Sequence, residues 1–152
     1  MIRSTQSTVK ALPKRLCISV GGFFGPCYSV TLKKSHLIYT YSPPRDSCSQ
    51  EPEPQPQCEE IEPSTKQWQN FRRALDRLNV WCWQANYSDP AVCDGTGWSA
   101  EIVYSDRSLI STGDNSFPGR DGRALPMTAD GTDNTFERFC RAVASLVGRE
   151  FQ

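Results

Sequence analysis

"DGTGWSAEIVYSDRSLISTGDNSFPG", residues 94–119, decides the fold. Trp98, Ala100, Ile102 and Tyr104 alternate with small or polar residues, which is the period of a half-buried β-strand. "SDRS" (105–108) turns the chain, and Leu109 and Ser111 carry the return strand. Asp94-Gly95 opens this hairpin and Gly113-Asp114-Asn115 closes it, so most of the stretch is fold-making punctuation. Asp94, Trp98, Asp114 and Asn115 remain as candidates for a site at its ends.

The same alternation appears upstream. Leu16, Ile18 and Val20, then Tyr28, Val30 and Leu32, then Leu37, Tyr39 and Tyr41 predict three short antiparallel strands, joined by "GGFFGP" (21–26) and "KKSH" (33–36). Residues 43–63 are rich in Pro, Glu and Gln. A segment with so little apolar surface cannot offset its ordering entropy, and it is read as a mobile loop. Ser64 and Gln67 have capping-box spacing, and Trp68, Phe71, Leu75 and Leu78 recur at helical intervals, predicting an amphipathic helix over 64–78 that Asn79 stops. On this reading Arg72 and Asp76 belong to its polar face. Trp81 and Trp83 read as a short strand, and residues 84–97 and 113–133 as loops. A second amphipathic helix is predicted over 134–147, capped by Asn134 with Glu137 at N3 and closed by Gly148.

Together these elements predict an α+β fold: a six-stranded antiparallel sheet with two amphipathic helices on one face. Each half runs from a hairpin through a polar loop into a capped helix, which allows a duplicated β-β-β-α unit. The competing reading is that any two hairpins followed by helices share this pattern. At 152 residues the chain is read as one domain, 13–152, behind a flexible leader, 1–12. The leader is basic but has no apolar core, so it is not read as a secretory signal.

Composition narrows the function classes. Lys plus Arg and Asp plus Glu both number 17, which gives no electrostatic case for nucleic acid or an anionic membrane surface. No apolar run is long enough to span a membrane. Seven cysteines, an odd number, without a secretory signal point to free thiols in a reducing cytoplasm. Cys17 and Cys27 are placed to face each other across the first hairpin, and Cys48 and Cys58 fall in the Pro/Glu loop.

Chemistry is sparse. The single histidine, His36, sits in a turn without a partner nucleophile. The cysteine spacings do not match a zinc site, and no phosphate-cradling loop or nucleophile elbow is present. The loop aspartates resemble calcium ligands, but turns use the same residues to cap their own backbone. Neither a metal nor a cofactor is expected. The aromatic set is the better hint: Trp81, Trp83, Tyr87 and Trp98 surround the Asp-Gly turn, with Asp94, Asp114 and Asn115 nearby. If that face meets the helices, the set is core. If it is open, the set is an apolar patch or pocket rimmed by the polar three.

The spaced pattern "VWCWQANY", "DGTGWSAEIVY", "STGDNSFP" resembles an uncharacterised family of small bacterial α+β proteins with Trp-x-Trp, Asp-Gly-x-x-Trp and Gly-x-Asn-x-aromatic-Pro motifs. The leading "ISVGGFFGPCYSVTL" fits the same pattern. The resemblance implies a fold, and no catalytic residue comes with it. The expectation is a non-enzymatic, cytoplasmic binding protein of immunity, inhibitor or accessory type, touching another protein through its sheet face and the 84–97 and 113–121 loops. The alternatives are a binder of nucleotide-like ligands in a tryptophan-lined pocket and an enzyme of unfamiliar type using Asp94 or Cys93.

Overall fold

The structure is a computed structural model that describes residues 11–22, 25–44, 55–89, 95–126 and 131–152. The chain forms β1 (Arg15–Gly22), β2 (Cys27–Lys33), β3 (His36–Ser42), β4 (Gln57–Ile61), α1 (Thr65–Leu78), β5 (Asn86–Ser88), β6 (Thr96–Val103), β7 (Ser108–Asp114), β8 (Ser116–Pro118), β9 (Ala124–Pro126) and α2 (Thr135–Val147). The α+β class and the two helices are as the sequence predicts. The sheet is not six antiparallel strands: it has seven, ordered β4-β3-β2-β1-β6-β7-β5, and β5 runs parallel to β7. β8 and β9 form a separate two-stranded sheet.

The two extra strands lie where composition hides them. Residues 57–61 of the expected Pro/Glu loop form β4, an edge strand whose backbone pairs with β3 although its side chains are nearly all exposed. An edge strand needs no apolar face, and its glutamates discourage pairing with another chain. β5, within the expected 84–97 loop, is only three residues long, and Tyr87 is its one buried side chain. The hairpins β2–β3 and β6–β7 flank β1 symmetrically, as a duplicated unit requires. The second half, however, has no antiparallel strand in the place of β1, and Trp81 and Trp83 do not form one.

That segment turns instead. Asn79 closes α1 in the left-handed conformation, φ 50°, and starts a 3₁₀ turn over Val80–Cys82 before Trp83 extends. Helix α1 has the capping box its sequence predicts, with Ser64 Oγ accepting from the Gln67 N–H at 3.1 Å and Gln67 Oε1 accepting from the Ser64 N–H at 2.8 Å. At α2 the cap is different. Asn134 makes no capping bond, and Asp133 accepts from the N–H and hydroxyl of Thr135 at 3.1 and 2.6 Å. The other Asp133 oxygen accepts from the Arg120 N–H at 2.8 Å, which ties the segment between β8 and β9 to the helix. These donors, Arg120 foremost, hold the Asp133 carboxyl below the usual range.

One hydrophobic core lies between the sheet and the helices. Ile18, Val30, Leu37 and Ile102 from the sheet meet Phe71 and Leu75 of α1 and Phe139, Val143 and Leu146 of α2. The C-terminal residues close it: Phe151 is buried against Tyr28, and the Tyr39 hydroxyl donates to the Glu150 carbonyl at 2.7 Å.

Candidate functional site

The structure brings most of the aromatic set together, and it places that set inside. Trp83, Tyr87 and Trp98 are 7%, 1% and 4% exposed, and Trp81 is half-buried. The Trp83 ring meets those of Trp98, Phe136 and Phe139 with centroids 5.1–6.4 Å apart, and Trp98 also contacts Tyr87 at 5.8 Å. Phe117 of β8 joins through Phe136 at 5.0 Å. Tilted and edge-on pairs at these separations are how aromatic rings pack in a core. The indole N–H of Trp98 donates to the Ser116 carbonyl at 3.0 Å, and the Tyr87 hydroxyl donates to the Gly122 carbonyl at 2.7 Å.

The neighbouring turn residues serve this packing. A Cβ on Gly113 would lie 2.0 Å from Trp98 Nε1, so only glycine lets β7 pass the indole. Asn115 is buried and left-handed, φ 59°, and its N–H donates to the Thr96 carbonyl at 3.0 Å. A Cβ on Gly95 would sit 1.2 Å from Asn115 Oδ1. The glycines and Asn115 of the Asp-Gly-x-x-Trp and Gly-x-Asn-x-aromatic-Pro motifs thus converge on Trp98 and its neighbours. Asp114 is exposed at the end of β7, and its carbonyl accepts from the Asp89 N–H at 3.0 Å. Asp94 and Cys93 lie outside the described residues, as do Cys48 and the rest of residues 45–54 of the Pro/Glu loop.

A second cluster was not read from the sequence. Arg72, assigned there to the exposed face of α1, has a side chain only 15% exposed. Its guanidinium donates to both carboxylate oxygens of Asp106, at 3.0 and 2.8 Å, and through Nε to Asp76 at 3.0 Å. It also lies over the rings of Tyr104 and Trp81, 4.5 and 5.2 Å from their centroids. The Trp81 indole N–H donates to Asp76 at 2.9 Å. The Arg72 guanidinium holds the Asp106 carboxyl down at about 2, and burial pushes the Tyr104 hydroxyl up. The i, i+4 spacing of Arg72 and Asp76 was a visible signal, but the long-range partner in the 105–108 turn was not.

The opposite face of the sheet has a different character. Strand register aligns Cys58, Thr40, Ser29, Ser19, Ser99, Thr112 and Asn86 in one row across all seven strands. Ser19 and Ser99 hydroxyls are 2.8 Å apart, Asn86 Nδ2 donates to Thr112 at 3.1 Å, and Thr40 and Cys58 meet at 3.3 Å. The adjacent row passes through Ser42, Cys27, Gly21 and Gly97, leaving a shallow concavity of about 280 Å³. Cys17 and Cys27 share this face but do not oppose each other: Cys17 pairs with Thr31 and Cys27 with Gly21. Arg15 pairs with Glu101, and Ile110, 62% exposed, is the largest apolar projection. No described helix or strand packs over this face, because both helices contribute to the core on the other side.

Among the described residues no group of three or more His, Cys, Asp or Glu side chains is placed to hold a metal ion. Cys17, Cys27, Cys58, Cys82 and Cys140 are free thiols, and burial pushes Cys140 up to about 12. No described helix is long and apolar enough to cross a membrane. In comparisons with known proteins, no family model, curated protein or solved structure matches the chain.

Proposed function

We propose that the chain is a non-enzymatic binding domain that acts in the cytoplasm by docking its open sheet face on another protein. The carrying observation is the row from Cys58 to Asn86, which runs unbroken over seven strands on the face opposite the core. At about 4.8 Å per strand such a face is about 29 Å wide, the dimension of one side of a standard protein–protein interface of about 800 Å². Small hydroxyl side chains keep it shallow and supply donors and acceptors without a fixed charge. The packing of Trp83 and Trp98 against Phe136 and Phe139 speaks for this reading over a tryptophan-lined ligand pocket. Free exposed thiols at Cys17, Cys27 and Cys58 fit a reducing compartment. The balanced charge gives no support to a nucleic-acid partner.

Site-specific photocrosslinking in the host cell tests the proposal. A crosslinker at Thr31 or Thr112, on the open face, is expected to capture the same discrete protein, and one at Arg73 or Arg138, on the helices, is expected to capture none. Equal capture from both sides, or none from the open face, overturns the reading.

A further inference from the structure

The sheet ends on two edges, and they are not alike. β4 presents Glu59 and Glu60, exposed charges that discourage pairing with another chain. At the other edge β5 is too short to cover β7. It pairs with Thr112, Gly113 and Asp114, and the first part of β7, Ser108–Ser111, has no strand beside it among the described residues. That stretch, Ser-Leu-Ile-Ser, carries no charge and no proline.

The hydrogen-bond phase of β7 sets which groups are open. The Tyr104 N–H donates to the Arg107 carbonyl at 2.8 Å and the Asn115 N–H to the Thr96 carbonyl at 3.0 Å, so the odd-numbered residues turn their backbone groups toward β6. Direction alternates along a strand, so the even-numbered residues turn theirs outward. Two of these are in use: the Thr112 N–H donates to the Ala85 carbonyl, and the Asp114 carbonyl accepts from the Asp89 N–H, both at 3.0 Å. The N–H and carbonyl groups of Ser108 and Ile110 face the same way and have no backbone partner among the described residues. Asp89, Gly95 and Pro126, which flank residues 90–94 and 127–130, lie toward the Asp114 end of β7, away from this stretch.

The side chains point to the same occupant. Ile110 projects onto the open face and is 62% exposed. Its cross-strand neighbour Glu101 is paired with Arg15, and Val103, diagonal to it, is half-buried. On an added strand, the residue opposite Ile110 sets its own side chain on this face, against Ile110, which favours an apolar one.

We infer that the open edge of β7 receives a strand from the partner protein: an extended segment that pairs with Ser108–Ile110 in line with β5 and sets an apolar side chain against Ile110. The inference rests on the reading that the open face docks on a protein, and it adds that backbone hydrogen bonds make part of the contact. Three residues of strand span about 10 Å, an anchor at the margin of the face.

The first test uses the free full chain. In amide exchange, the Leu109 and Ser111 N–H groups, which face β6, are expected to be protected at least about a hundredfold more than those of Ser108 and Ile110. Equal protection of Ile110 in the free chain, whether by residues 1–10 or, where it grows with concentration, by a second copy, overturns the inference. The second test places a photocrosslinker at Ser108, an exposed position, in the host cell. Proline and valine are similar in size and both apolar, but proline lacks the N–H, which at Ile110 faces no strand of the free chain. Ile110→Val is expected to keep capture of a discrete protein, and Ile110→Pro to lower it about tenfold, the scale of one hydrogen bond. Ile110→Lys puts a charge on an exposed side chain, folds whatever proline does, and is expected to lower capture as much. No capture at Ser108, or capture that Ile110→Lys leaves unchanged or that a folded Ile110→Pro leaves unchanged, overturns the inference. A crosslinker at Thr31 separates the two readings. Capture there that survives Ile110→Pro removes the strand and keeps the face, and capture at Ser108 but not at Thr31 keeps the strand and removes the face.

Discussion

The two faces of the sheet are made from the same strands and differ in almost everything else. On the helix side, alternate residues are large and buried: Leu16, Ile18, Val30, Leu37, Trp98 and Ile102. On the open side, their neighbours are Cys17, Ser19, Ser29, Thr40 and Ser99. A one-residue register slip would exchange the two sets, so the difference itself fixes the pairing. The contrast separates work. One face supplies the sheet's share of the core, and on the other no described helix or strand packs over the hydroxyl row.

The largest expected effect sharpens that division. Trp98 ends the Asp-Gly-x-x-Trp motif, and its ring contacts Trp83, Tyr87 and Phe136. If the cluster is core, Trp98→Ala destabilises the protein by about 3–5 kcal/mol, read from urea unfolding. A loss below about 1 kcal/mol would mean the indole is dispensable to the fold, and a tryptophan-lined binding site would regain its case.

A smaller effect is expected where the helix layer is fastened to the sheet by charge. Asp106 holds Arg72, and its carboxyl is depressed from 3.8 to about 2. A group depressed on folding stabilises the native state above its unfolded pKa and loses that contribution as pH falls through the folded value. The contribution of Asp106 is therefore complete above about pH 4 and fades between about pH 4 and pH 2. Asp106 is more than half exposed, so solvent screening limits its size. In Asp106→Asn, the acid-induced fall in thermal midpoint over that window is expected to be shallower than in the parent. Identical slopes would show that the clamp is held by the rings of Trp81 and Tyr104 and not by the carboxylate.

How far these features were legible follows from range. The alternation of Leu16, Ile18 and Val20 and of Trp98, Ala100 and Ile102 is local and uninterrupted, and the strands lie where it places them. Helix α1 begins and ends at Ser64 and Asn79 because capping is a matter of a few residues. β4 was missed because an edge strand needs only backbone partners, and β5 because three residues cannot show a period. Trp81 and Trp83 have strand spacing, but the left-handed Asn79 sends the chain into a 3₁₀ turn that the spacing does not encode. Asp133 displaced Asn134 as the cap because it also reaches Arg120, thirteen residues away. Of the four aromatics grouped by sequence, Trp83, Tyr87 and Trp98 lie together, and Trp81 packs instead on Tyr104 and Arg72. Whether they faced a pocket or the helices depended on which side of the sheet α2 took, and no local pattern contains that.

The smallest expected effect bears on the open face. Thr40→Val and Thr112→Val, both in the row, keep shape and β-propensity and remove only hydroxyls, Thr40's contact with Cys58 included, from a face that packs against no described helix or strand. Each is expected to change stability by no more than about 0.5 kcal/mol, although Thr112 loses the bond from Asn86. A row that stabilised the sheet through linked hydroxyls would behave otherwise: the double variant would lose about 2 kcal/mol or more, beyond the sum of the single changes. Denaturant unfolding of the three variants distinguishes these cases. If the losses are small, the unbroken polar row is not explained by the fold's own stability, and its regularity is left to what the face contacts.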